Sequence, residues 1–168
     1  ASLVLLYTMS SLYHMLPEGS KAQYVFRHFD HMMIYVLIAG TYTPLCLVPL
    51  RGPWGWSIFG VVWGIAVLGI IWKAVAFDRS RTVSTILYVM MGWIIVIAIY
   101  PLLKTVPGPG LLWMLLGGIM YTIGGLIYGI KKPNINCPWF GFHEIFHVFV
   151  IAGSFCHFWM MLRYIMYI

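Results

Sequence analysis

The feature that most constrains this chain is a series of long apolar segments separated by short polar breaks. Of the 168 residues, 62% are hydrophobic and only 8% are charged. A soluble domain carries about 25% charged residues because its surface faces water. A chain with so little polar surface requires lipid around it, and only helices or closed barrels satisfy their backbone hydrogen bonds there. The long apolar segments predict an all-α, polytopic transmembrane helical bundle.

Polar breaks divide the chain into six apolar blocks. They cover about residues 1–16, 30–49, 54–77, 82–103, 111–130 and 140–168. The first block is shorter than the about 20 residues that a spanning helix needs, and the chain opens without Met, so we expect residue 1 to lie inside a helix whose beginning is absent. The other five blocks are long enough to span. Residues 1–168 are therefore predicted to form a single integral membrane domain.

Two glycine pairs, Gly60–Gly64 and Gly125–Gly129, each place two glycines on one helical face. Small residues at this spacing allow close approach between helices in lipid. We expect both pairs to mediate tight packing within the bundle rather than dimerisation.

The positive charges predict an orientation in the membrane. Loops after the first, third and fifth blocks carry seven of the ten Lys and Arg residues, and the opposite side carries three. Cytosolic loops are enriched in Lys and Arg, so the first set is predicted to lie in the cytosol and the C-terminus outside, as in a multi-pass protein of the cell membrane. The cations form no patch typical of a nucleic-acid-binding surface. The first set is Lys21, Arg27, Lys73, Arg79, Arg81, Lys131 and Lys132, and the second is Arg51, Lys104 and Arg163.

Polar residues gather at the predicted cytosolic ends of three blocks. Ser10 and His14 lie four residues apart near the end of the first block, and Asp30 opens the second. His143 and His147 open the last block at a spacing that places both imidazoles on one helical face. Ionisable groups inside apolar helices are costly and are therefore candidates for function. Candidate ligands from three helices thus share one depth in the membrane.

Imidazoles without thiolates, one pair of them a helical turn apart, favour a zinc site near the cytosolic face. His28 and His31 flank Asp30 and could replace a ligand, although His28 is expected in a loop. His157 is about 15 Å further along the helix than His147 and is too distant to join.

The same segment contains the HExxH pattern of the zincins, in which Glu144 would act as general base. No acidic residue follows Glu144, and Gly153 stands where a metzincin would need its third His. An intramembrane metalloprotease that uses Asp30 as its third ligand remains an alternative.

The segments SSLYH, FDHMMIYVLIAGTYTP and FHEIFHVFVIAGS together resemble the hemolysin III family. This family is the bacterial branch of the progestin and adipoQ receptor superfamily, which is also similar to the alkaline ceramidases. The resemblance covers essentially the whole chain and implies seven transmembrane helices with a cytosolic N-terminus, of which this chain carries the end of helix two through helix seven. It implies zinc at His14, His143 and His147, with Ser10 and Asp30 beside the metal and its bound water.

Three functions are compatible with these features. The first is a zinc-dependent hydrolase of membrane lipid amides or esters, with Asp30 as general base and Ser10 as its hydrogen-bond partner. The second is a non-catalytic sensor or regulator of membrane lipid state in which zinc is structural. The third is a pore-forming cytolysin, which should show a polar stripe along several helices. In each case membrane lipids are the expected partners, with a fatty-acyl or ceramide-like ligand for the first, and the sequence does not indicate an oligomeric state.

Overall fold

The chain forms a bundle of helices in the computed structural model, which describes residues 1–76, 81–133 and 141–168, with only the backbone of residue 81. No strand occurs in these ranges, so the predicted all-α fold is confirmed. The helices are α1 (Ser2–Met15), α2 (Lys21–Leu47), α3 (Pro53–Val75), α4 (Arg81–Trp93), a 3-10 segment (Ile94–Ala98), α5 (Ile99–Thr105), α6 (Gly108–Ile130), α7 (Phe142–Met160) and a π-helical turn (Met161–Ile165).

Four helical stretches of the described chain are long and apolar enough to cross a membrane, which supports a multi-pass membrane protein. Helix α2 has 27 residues and is also long enough, but its polar residues lower its average hydropathy below that of the four stretches. The prediction that five blocks are long enough to span agrees with the lengths of these helices, but α2 is less apolar than the other four. The four stretches are Pro53–Val75, Thr82–Thr105, Gly108–Ile130 and Phe142–Ile165.

Helix α2 begins at Lys21, so the prediction that Asp30 opens this helix is wrong. The Ser20 hydroxyl accepts the Gln23 N–H at 3.0 Å, and the Gln23 side-chain oxygen accepts the Gly19 N–H at 2.8 Å. This reciprocal capping starts the helix well before its apolar part. Asp30 consequently lies more than two turns inside α2, and His28 lies in the helix rather than in a loop.

The fourth apolar block is interrupted rather than continuous, because a 3-10 segment separates α4 from α5. Pro101 follows this segment and has no N–H to donate to the carbonyl of Ile97, and its ring crowds that carbonyl. The Tyr42 hydroxyl crosses from α2, accepts the N–H of Ile95 at 2.9 Å and approaches the carbonyl of Gly92 at 2.7 Å. A side chain from another helix thus satisfies backbone groups at the interruption.

Helix α2 lies centrally, packing against α1 on one side and α3 on another, and α6 packs along α7. The core that joins these elements includes Tyr35, Ala39 and Tyr42 of α2. This arrangement places the end of α1 and the start of α7 on the same side of the bundle.

One of the two glycine pairs packs as predicted. Gly125 and Gly129 lie against side chains of α4, where an added Cβ would stand 3.2 Å from Val89 and 3.7 Å from Thr85, respectively. A Cβ added at Gly60 or Gly64 would meet nothing within 4 Å among the described residues, so the expected close packing does not occur at that pair.

Candidate metal centre

Three imidazoles from two helices converge at one end of the bundle. His14 lies in the last turn of α1, while His143 and His147 lie on consecutive turns at the start of α7. The Nε2 atom of His143 stands 3.1 Å from that of His147 and 3.5 Å from that of His14. Each ring offers one ligand atom, and all three atoms lie within 4.8 Å of one another. His14 is exposed, whereas the other two are partly buried.

These distances fit a tetrahedral zinc ion. Zinc binds imidazole nitrogen at about 2.0–2.1 Å, which sets neighbouring nitrogens about 3.3 Å apart in a tetrahedron. The distances from the Nε2 atom of His143 to those of His14 and His147 lie on either side of that value. The three histidines named from the sequence are thus brought together in a geometry that could hold the metal, and zinc binding stays a prediction.

Ser10 and Asp30 lie beside the histidines. The Asp30 carboxylate lies close to the Ser10 side chain and to His14. Ser10 is one turn before His14 on α1 and is buried. The Asp30 carboxylate is not part of the three-residue cluster of possible ligands. Asp30 is therefore located to act on a group at the cluster rather than to complete the ligand set.

Glu144, the acidic residue of the HExxH pattern, has a different partner. Its Oε2 atom accepts the N–H of Gly141 at 2.7 Å and thereby caps the first turn of α7. A carboxylate at this position also interacts favourably with the positive end of the helix dipole. Glu144 thus has a structural role that accounts for its position.

The remaining histidines lie outside the cluster. The Nδ1 atoms of His28 and His31 contact the carbonyls of Tyr24 and Arg27, at 2.8 and 2.7 Å. The Nε2 atom of His31 contacts the hydroxyl of Tyr128 at 3.0 Å. Neither His28 nor His31 therefore replaces a ligand in this arrangement.

His157 lies further along α7, as its spacing predicted. Its ring stacks on Tyr121 at a centroid distance of 5.4 Å. An added Cβ at Gly117 would stand only 2.7 Å from the His157 ring. The imidazole thus packs between α6 and α7 and lines an internal cavity.

A partly enclosed cavity of about 570 Å³ extends from the histidine cluster into the bundle. Ser10, Asp30 and His147 line one end, and Gly108 and Leu111 line the other. The lining follows α6 from Gly108 to Tyr128, a distance of about 30 Å at about 1.5 Å per residue. Apart from the polar end the wall is mostly apolar. Its volume falls within the about 300–1,000 Å³ typical of ligand pockets.

Tyr128 on α6 contacts His31 and was not predicted from the sequence as a site residue. Its ring also packs on Phe146 at 4.7 Å and lies 6.2 Å from the His143 ring. A tyrosine near the end of an apolar helix is typical of the membrane interface, so no signal in the sequence separated Tyr128 from the other tyrosines.

Comparisons with known proteins agree with this architecture. A family model described as Haemolysin-III related matches residues 1–158. Hemolysin-3 of Bacillus cereus is 40% identical over 165 residues, covering 98% of this chain and 72% of that protein. A Hemolysin-3 homolog of Bacillus subtilis (strain 168) is 38% identical over 163 residues, covering 97% and 73%. A shorter match, 40% identical over 52 residues, covers 28% of this chain and 16% of the ADIPOR-like receptor IZH2 of Saccharomyces cerevisiae. The family model that matches residues 1–158 and the 40% identity to Hemolysin-3 of Bacillus cereus show that the chain belongs to the haemolysin-III-related family.

Proposed function

We propose that this protein is a zinc-dependent hydrolase of membrane lipid amides or esters. The observation that carries the proposal is the juxtaposition of three converging imidazoles, an adjacent carboxylate and a long apolar cavity. A zinc ion held by three imidazoles leaves a fourth position for water and lowers the pKa of that water towards about 7.

The protein's own groups supply the rest of the chemistry. Asp30 accepts a proton from the attacking water, and the Ser10 hydroxyl holds the Asp30 carboxylate in place. The water oxygen bonds to the carbonyl carbon, the bond from that carbon to nitrogen or oxygen breaks, and the proton passes from Asp30 to the leaving amine or alcohol. The products are a fatty acid and the amine or alcohol.

The cavity supports an acyl chain as the part of the substrate that is bound. Burial of apolar surface stabilises a bound ligand by about 25 cal/mol per Å². The mostly apolar wall would hold a chain whose carbonyl lies at the polar end, next to His147 and Asp30. A wall of this kind does not favour the cytolytic pore, which needs a polar path.

A second candidate is a receptor or regulator in which zinc is structural. Helix α1 packs along α2, and its described links to α7 include His14 to His143 and Tyr7 to Ser154 at 2.9 Å. A metal bound by these histidines would link α1 to α7. The match to a protein named as an ADIPOR-like receptor favours the same candidate.

Metal content and turnover test the proposal together. The purified chain in detergent should contain about one zinc per molecule, and His143→Ala and His147→Ala should each lose it, because a ligand is removed. His28→Ala is the matched control, since that imidazole lies outside the cluster and should leave zinc unchanged. Stoichiometric zinc in both His143→Ala and His147→Ala would overturn the metal site.

The zinc-loaded protein should also cleave members of a panel of N-acyl and O-acyl lipids. Zinc present without turnover of any member would favour the receptor or regulator instead. Zinc-dependent turnover that disappears in His147→Ala and persists in His28→Ala is the result expected for a hydrolase.

A further inference from the structure

His31 connects three helices next to the candidate metal centre. On its own helix, α2, its Nδ1 atom stands 2.7 Å from the carbonyl oxygen of Arg27. Across the bundle its Nε2 atom stands 3.0 Å from the hydroxyl of Tyr128 on α6. Its backbone carbonyl accepts the hydroxyl of Tyr88 on α4, also at 3.0 Å. The imidazole is thus fixed on both edges.

The partners of His31 determine where its proton lies. A backbone carbonyl can only accept a hydrogen bond, so Nδ1 must carry the proton that points at Arg27. The Nε2 atom of the neutral ring is then an acceptor, and the Tyr128 hydroxyl donates to it. The direction of the hydrogen bond between α6 and α2 follows from this assignment.

The same imidazole lies next to the proposed general base. His31 Nδ1 stands 3.8 Å from Oδ2 of Asp30, and the two side chains are only 14% and 13% exposed. Because the Nδ1 proton points at Arg27, the imidazole meets the carboxylate by van der Waals packing and not through a hydrogen bond. Asp30 in turn interacts with Ser10 and His14 on α1. A continuous series of contacts therefore runs from Tyr128 through His31 and Asp30 to the histidine cluster. Tyr128, Asp30 and His147 also line the same cavity.

We infer that Tyr128 and His31 are positioning residues that fix the Asp30 carboxylate beside the metal centre. Tyr128 acts through His31, because its hydroxyl sets the orientation of the imidazole that faces Asp30. Carboxylates and imidazoles around a metal site depend on such outer partners for their orientation, and loss of a partner costs about 10- to 100-fold in affinity or activity. This inference rests on the proposed function and names two further residues in its machinery.

The test compares Tyr128→Phe in the normal protein with the same change in an Asp30→Asn background. Zinc is replaced by Co²⁺, whose visible spectrum reports on the groups around the metal, and lipid turnover is measured in parallel. Tyr128→Phe should keep about one metal per chain, shift the cobalt spectrum towards that of Asp30→Asn, and lower kcat about 10- to 100-fold with KM little changed. In the Asp30→Asn background the same change should add no further effect, because residues that act through one another are not additive.

His31 is tested by conservative rescue with a matched control. His31→Gln keeps an amide near the position of Nε2 and should retain most of the spectrum and turnover, whereas His31→Leu should resemble Tyr128→Phe. His28→Gln is the control, because the Nδ1 atom of His28 makes the same contact with a carbonyl on α2 and the residue lies outside the histidine cluster. It should change neither readout.

The cobalt spectra and the turnover rates distinguish failure of the positioning role from failure of the proposed hydrolase. An unchanged cobalt spectrum in Tyr128→Phe, or an equal effect of this change with and without Asp30, would overturn the positioning role. If no lipid is cleaved by the normal protein, the proposed hydrolase fails, while the cobalt spectra of the same variants still decide whether Tyr128 and His31 position Asp30.

Discussion

At the scale of single residues, the two carboxylates near the histidines differ in what they contact. Glu144 accepts the backbone N–H of Gly141 and so stabilises the start of α7. Asp30 comes from α2 and interacts with Ser10 and His14. The contrast assigns helix capping to Glu144 and leaves Asp30 as the carboxylate that we propose for proton transfer.

Mutation of the two carboxylates should separate these roles. Asp30→Asn should keep zinc but reduce hydrolytic turnover by about 10²-fold or more, because an amide cannot accept the proton. Glu144→Gln should keep both zinc and most of the turnover. Zinc content and kcat of the two variants, measured side by side, check this prediction.

Two other results would point to different roles. Zinc affinity that falls about 10- to 100-fold in Asp30→Asn would indicate a carboxylate that orients a ligand rather than a base. Loss of turnover in Glu144→Gln, with normal turnover in Asp30→Asn, would restore the zincin-like mechanism.

At the scale of helices, the interruption between α4 and α5 depends on a group from another helix. The Tyr42 hydroxyl accepts the buried N–H of Ile95, in the 3-10 segment, at 2.9 Å. The residues around it, including Ile95 and Ile99, line the cavity. The shape of this wall therefore depends on a side chain of α2.

Removal of that hydroxyl should destabilise the bundle. Tyr42→Phe would leave the N–H of Ile95 without this partner, at a cost of about 1–3 kcal/mol for an unsatisfied buried group. Thermal or denaturant unfolding in detergent, followed by circular dichroism, measures the change. Tyr100→Phe is the control, because Tyr100 is exposed on α5 and its ring, which lies 4.2 Å from the Lys104 amine, is retained. Equal stability of Tyr42→Phe and the normal protein would contradict this role.

The start of α2 gives a second prediction for a helix. Ser20→Ala removes the acceptor of the Gln23 N–H and should cost about 0.5–2 kcal/mol, the usual range for loss of an N-cap. The same unfolding measurement checks it. Helix α2 also carries Asp30 and His31. Zinc-dependent turnover should therefore fall together with the free energy of unfolding only if the first turns of α2 unwind in the native state. An unfolding free energy that does not change would show that the cap contributes nothing here.

At the scale of the whole molecule, hydropathy predicted the order of the helices because their apolar runs face lipid. It misplaced the start of α2, since the first turns of that helix are polar and their capping residues lie outside the apolar run. The shared depth of His14, His143 and His147 followed from the alternating direction of successive helices. The contact between Tyr128 and His31 could not be predicted in this way, because it depends on how α2 and α6 are rotated about their own axes.

The distribution of positive charge makes a prediction about the molecule as a whole, but several cations expected in loops lie in helices. Lys21 and Arg27 lie in the first two turns of α2. Lys73 was expected in a loop, but it lies in the last turn of α3 and is only 3% exposed. Arg79 and the side chain of Arg81 fall outside the part of the chain that the structure describes. The exposed cations Lys131 and Lys132 follow α6, at the end of the bundle that holds the histidine cluster. We therefore expect this end to face the cytosol.

Labelling of engineered cysteines in intact cells tests that orientation. A membrane-impermeant thiol reagent should modify Ile168→Cys, whereas Lys132→Cys should react only after the membrane is permeabilised. The unsubstituted protein is the control. Its Cys46 and Cys156 are buried, and any labelling of Cys137, which lies outside the described residues, is measured there as background. An orientation with the histidine end in the cytosol would give the proposed metal centre access to lipids of the inner leaflet and to cytosolic zinc. Modification of Lys132→Cys in intact cells, with Ile168→Cys protected, would instead place the metal centre at the outer surface.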